Sequence, residues 1–166
     1  MHFDYVLYNA GWAEARVTTE EHTVRMTASY VHDSVAELVN ALLELRVGAA
    51  EARVVFMNEP GEHHLRLVRG DGEQLSVEVR WYRDWASWGL MSPEDYQIVL
   101  ETATTVTELT EQVLESLDTI LDTFGVEGYQ EKWIEHEFPM REFARLQRVS
   151  RRPVLPVDGS GSAMGG

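Results

Sequence analysis

Cysteine is absent from all 166 residues, so disulfides, thiolate metal sites and thiol catalysis are excluded. No apolar run reaches the roughly 18 residues that a membrane-spanning helix needs, so no membrane span is expected. The opening Met1-His2-Phe3-Asp4-Tyr5 lacks a basic region ahead of an apolar stretch. It therefore does not read as a secretory leader, and the expected compartment is the cytoplasm. No Gly-x-Ser-x-Gly elbow, phosphate-binding loop or dinucleotide fingerprint is present, so the common hydrolase and nucleotide signatures do not apply. Positive charge is scarce as well: 14 Lys and Arg stand against 28 Asp and Glu, a net charge of −14. A chain this acidic repels phosphate backbones, so nucleic acid is not an expected partner and a basic protein is.

The composition that remains is globular, with 44% apolar and 10% aromatic residues, enough for one buried core. Charge is unevenly spread. Residues 94–137 hold twelve acids and one base, Lys132, whereas residues 138–152 hold five Arg and one acid, Glu142. Within the acidic stretch, Glu108, Glu111, Glu115, Asp118 and Asp122 recur at spacings of three, four, three and four. At about 100° per residue they form a stripe roughly 80° wide on a helix. Val106, Leu109, Val113, Leu117, Ile120 and Phe124 fall on the opposite side. The pattern predicts a helix that buries one face and shows water a ladder of carboxylates. Arg141, Arg145 and Arg148 share a face of a later helix, and the simplest expectation places that stripe beside the ladder, neutralising part of it.

Elsewhere, periodicity of two predicts strands. Ala13, Ala15 and Val17 alternate with polar residues, as do Val24, Met26, Ala28 and Tyr30, giving a hairpin, with a short leading strand over 3–8. Segments 52–58, 62–69 and 74–82 read as a meander joined by Glu59-Pro60-Gly61 and Gly70-Asp71-Gly72. Tyr96, Ile98 and Leu100 suggest one further strand. A helix is expected over 34–47, with Ser34 and Glu37 as a capping box. The acidic helix opens on a second box, Thr105 and Glu108, and closes at Gly125. Short helices are expected over 127–134 and 139–148. The expected whole is one α+β domain over 1–150, an antiparallel sheet of five to seven strands packed against two main helices, with short C-terminal helices. Residues 151–166 read as a flexible, linker-like tail.

Candidate chemistry is sparse. His63 and His64 are adjacent on a strand and point to opposite faces, so they cannot chelate together. His63 shares its face with Leu65 and Leu67 and is expected to be a satisfied core histidine. His136, beside Glu135 and Glu137, lacks a helical partner of the zincin type. No metal or cofactor is expected. Trp85 and Trp88 lie in a predicted loop, where they are expected to fold back as a lid; if exposed, they are candidate contact residues.

Four segments, Gly11-Trp12-Ala13-Glu14, Ser29-Tyr30-Val31-His32-Asp33-Ser34, Asn58-Glu59-Pro60-Gly61-Glu62 and the run from Gly125 to Trp133 with Phe138-Pro139, together resemble a family of small acidic bacterial proteins of uncharacterised function. More loosely, the chain is similar in size, charge and class to immunity proteins of bacterial toxin systems. That resemblance implies no catalytic residues. Taken with the charge pattern, the expected function is a non-catalytic protein-binding module, immunity or defence-associated, that engages a basic partner through Glu108, Glu111, Glu115, Asp118 and Asp122 with Trp85 and Trp88. Two rival expectations are a small-molecule-binding protein or enzyme with a pocket near 81–88, and a conjugated carrier acting through the terminal Gly165-Gly166.

Overall fold

The computed structural model describes residues 1–134 and 136–158; the terminal Gly165-Gly166 and the carrier expectation attached to it lie outside them. Among the described residues are seven strands, β1 (His2–Leu7), β2 (Trp12–Thr18), β3 (Thr23–Ser29), β4 (Glu51–Met57), β5 (Glu62–Arg69), β6 (Gln74–Tyr82) and β7 (Gln97–Thr105). Three α-helices accompany them among the described residues, α1 (Ser34–Arg46), α2 (Val106–Trp133) and α3 (Met140–Ser150). The class is α+β, as the patterning predicts. The strands do not form one sheet, however. They form two antiparallel meanders, β1-β2-β3 and β4-β5-β6-β7.

The split has a local cause. The β4 edge amide of Val55 is taken by the Glu37 side chain of α1, at 2.7 Å, instead of by a neighbouring strand. The β1 edge is closed in the same manner by α2, whose Gln112 and Ser116 accept from the amides of Phe3 (2.7 Å) and Tyr5 (3.2 Å). Helix side chains thus satisfy main-chain donors that would otherwise be left at an edge.

Helix starts are partly as the sequence suggests. Thr105 caps α2 and Glu108 returns the bond to the Thr105 amide, a complete capping box. At α1 the cap is Asp33, whose carboxylate accepts from Ala36, while the Ser34 hydroxyl is buried against the hydroxyl of Tyr5 at 3.0 Å. As the sequence suggests, the acidic helix stops at Gly125 and a second helical segment follows it within α2. The backbone breaks there (φ 65°, ψ 179°) and helix resumes to Trp133. Tyr129 and Trp133 of this second half are fully buried. They join a core built from Phe3, Leu38, Leu42, Leu67, Val113 and Leu117. Phe138 bridges Tyr129 and Phe143 by edge-on ring contacts at 5.1 and 5.2 Å, which docks α3.

Beyond α3 the chain is tied down as far as Asp158. The Leu155 amide donates to Arg46 O, the Asp158 amide to Gly48 O, and Arg69 donates to Leu155 O. No helix among the described residues is long and apolar enough to cross a membrane.

Candidate functional site

The acidic ladder is where the sequence places it. Leu109, Val113, Leu117 and Ile120 are buried, while Glu108, Glu111, Glu115, Asp118 and Asp122 are all exposed along one side of α2. Among the described residues none of the five pairs with a Lys, Arg or His. Their local settings differ. Hydrogen bonds from the Thr104 hydroxyl and the Thr105 amide hold the Glu108 carboxyl below its ordinary range. Partial burial, then the neighbouring Asp122 charge, push Asp118 up. The arginine stripe of α3 does not neutralise the ladder, contrary to the simplest expectation. The hydrogen bond from α3 to it comes from an uncharged donor, the Gln147 amide, to Asp118 at 3.4 Å. Arg145 and Arg148 turn instead toward the C-terminal end of α1.

The tryptophan loop divides its roles. Trp85 folds back, its indole N–H donating to Asn58 O (2.7 Å) and Gly61 O (3.1 Å) in the β4–β5 turn. Trp88, packed edge-on against Trp85 at 4.8 Å, stays 55% exposed, with Leu90 at 59% and Ile98 at 48%. Trp85 thus folds back, half-buried, over the β4–β5 turn and not onto the core, and Trp88 does not fold back. No hydrogen bond or ion pair among the described residues joins this loop to the ladder. Near 81–88 the concavity is an open depression of about 360 Å³ bounded by Glu59, Pro60, Asp84 and Trp85.

Beneath the loop lies a polar cluster that the sequence does not announce. Glu62 is wholly buried and His64 nearly so. One Glu62 oxygen meets His64 Nε2 at 2.7 Å and the Ser87 amide at 2.8 Å; the other accepts from the Ser87 hydroxyl. Burial alone would raise the Glu62 pKa, but the His64 and Ser87 hydrogen bonds together hold it below the ordinary value. Serine and histidine both bind the carboxylate, an arrangement in which the imidazole does not receive the hydroxyl proton. Its effect is to clamp the single 3-10 turn Ala86–Trp88 onto β5. Tyr82 closes the cluster, its ring 4.3 Å from His64.

On the opposite face of β5, His63 packs on Trp81 at 4.6 Å with Nδ1 buried and lacking a partner among the described residues. It is not the satisfied histidine the pattern predicts. Burial, reinforced by His64, lowers its pKa to about 4, so it is neutral at pH 7. His136 bonds the Tyr30 carbonyl at 2.6 Å and lies 3.7 Å from Asp33; Glu135 lies outside the described residues. Among the described residues no three His, Asp or Glu side chains converge as a metal site. No protein-family model, curated protein or solved structure matches the chain.

Proposed function

We propose that this chain acts as a non-catalytic protein-binding module that engages a basic protein through the outer face of α2. The observation that carries the reading is the ladder itself: five exposed carboxylates in register, none paired with a cation among the described residues. A surface used only for solubility needs charge but not a stripe of one sign along a single rigid helix. Such a stripe raises the rate of encounter with a basic surface, while desolvated aromatics hold a complex once formed. Trp88, with Leu90 beside it, supplies an aromatic contact of that kind on a second surface. The partner class proposed is a basic toxin-like protein, consistent with the resemblance to immunity proteins.

The test compares affinity capture by the full chain with capture by the triple variant Glu111→Lys, Glu115→Lys, Asp118→Lys. A basic protein retained by the first and lost by the second supports the reading. Stopped-flow association with that protein should then slow as salt rises, since charges on a rim are screened over about 8 Å at physiological ionic strength. Association that ignores salt, or a triple variant that binds as before, returns the ladder to a role in solubility alone.

A further inference from the structure

The C-terminal ends of α1 and α3 meet at a cleft of about 630 Å³, within the range of about 300–1,000 Å³ typical of small-molecule sites. Four arginines line it, Arg46, Arg145, Arg148 and Arg152, with Val149 and Leu155 among its apolar walls. In a protein of net charge −14, four cations around one concavity call for a cause.

Arg46 is only 3% exposed. Its Nε and Nη2 donate to the carbonyls of Val149, Ser150 and Arg152, which tie off the end of α3. Its Nη1 is buried with no acceptor among the described residues. Glu73 and Glu111 act on Arg46 through their field and form no hydrogen bond to it. Arg145, Arg148 and Arg152 have exposed side chains and no carboxylate partner among the described residues. The helix dipole favours a cation in a last turn, which accounts for Arg148 and for the placement of Arg46. It does not account for Arg145 and Arg148 set three residues apart, where like charges repel, both lining the same cleft as Arg152. The segment carrying Pro153 and Leu155 is itself fixed by the Leu155–Arg46 main-chain bond and by Arg69, so the wall is built in place.

We propose that this cleft binds a small organic phosphate, its phosphate group held by Arg145, Arg148 and Arg152 above Arg46 and its apolar part resting on Val149 and Leu155. Guanidinium groups match phosphate oxygens in paired, planar hydrogen bonds. A dianion balances this much positive charge better than a single carboxylate does. The residues that line the cleft are distinct from those of the α2 ladder, although Glu111 of the ladder reaches Arg46 through its field.

Hexyl phosphate, inorganic phosphate and hexanol are the probes, titrated into the full chain and followed by calorimetry and by amide NMR shifts. Hexyl phosphate should bind more tightly than inorganic phosphate, hexanol should not bind, and the shifts should centre on the ends of α1 and α3. Arg145→Gln and Arg148→Gln, both on exposed positions, should keep the melting temperature and each weaken hexyl phosphate about tenfold or more. Vesicles containing anionic phospholipid separate the two sources of such a phosphate. Sedimentation with them that hexyl phosphate competes away assigns a lipid headgroup; no sedimentation, with hexyl phosphate still bound, assigns a soluble organophosphate. No binding of either phosphate at millimolar concentration overturns the proposal, as do equal affinity for hexanol and unchanged affinity in the Arg145→Gln, Arg148→Gln double variant.

Discussion

Glu62 and His63 are neighbours on β5 with opposite electrostatic problems. Glu62 is a buried charge whose oxygens are met by His64 and Ser87. Replacing it with Gln presents an amide N–H2 to groups arranged as donors, so Glu62→Gln should lower stability by about 1–3 kcal/mol and loosen the 3-10 turn. Denaturant midpoints, with Trp85 fluorescence as the local reporter, check this. His63 is a half-buried imidazole that stays neutral down to about pH 4, whereas in the unfolded chain it takes a proton near its ordinary value of 6.5. Between those values the unfolded state binds more protons, so stability is fully present above about pH 6.5 and is lost as pH falls toward 4. The ceiling is roughly 3 kcal/mol, reduced by whatever solvent reaches the ring. Glu62, with its lowered pKa, acts in the same direction on further acidification. In a His63→Phe variant, which keeps the packing on Trp81, the slope of unfolding free energy between neutral pH and about 5 should flatten. An unchanged slope would assign the acid sensitivity elsewhere.

At the scale of elements, α2 offers the sharpest comparison. Leu117 is fully buried in mid-helix, and Leu117→Ala should cost about 2–5 kcal/mol. Glu115→Gln removes repulsion from Glu111 one turn away and should be neutral or gain a few tenths of a kcal/mol. A thermal melt in which the glutamine variant loses more than the alanine variant would contradict the orientation of the helix. Gly125 sits at φ 65° and ψ 179°, a region essentially reserved for glycine, so Gly125→Ala should cost about 1–3 kcal/mol even though open space surrounds it. What could be read in advance follows the range of the interaction. The Thr105–Glu108 box, the ladder and the bounds of β5 and β6 depend on neighbours in sequence and were legible there. The α1 cap was not, because Tyr5, 29 residues away, claims the Ser34 hydroxyl. The break into two sheets depends on Glu37 reaching Val55, and the burial of Glu62 depends on a loop 25 residues later folding over a strand face that alternation alone marks as wet.

Taken whole, the molecule separates its charges: a bare acidic helix face, and an arginine-lined cleft at the far ends of α1 and α3. Net charge of this size repels itself in the compact state. Moderate salt should therefore raise the melting temperature, and raise it less in the triple Lys variant of the ladder; a scan across salt concentrations distinguishes that from melts which fall because surface ion pairs dominate. Negative charge is also the obvious guard against association of crowded copies, yet the β1 and β4 edges have a guard of their own. Gln112 and Ser116 occupy the β1 amides and Glu37 the β4 amide, so neither edge offers those donors as a template to another chain. Losing the uncharged Gln112 leaves the molecule's charge untouched but frees an edge amide, which opens a route to fibrillar aggregation that the fourteen net negative charges do not close.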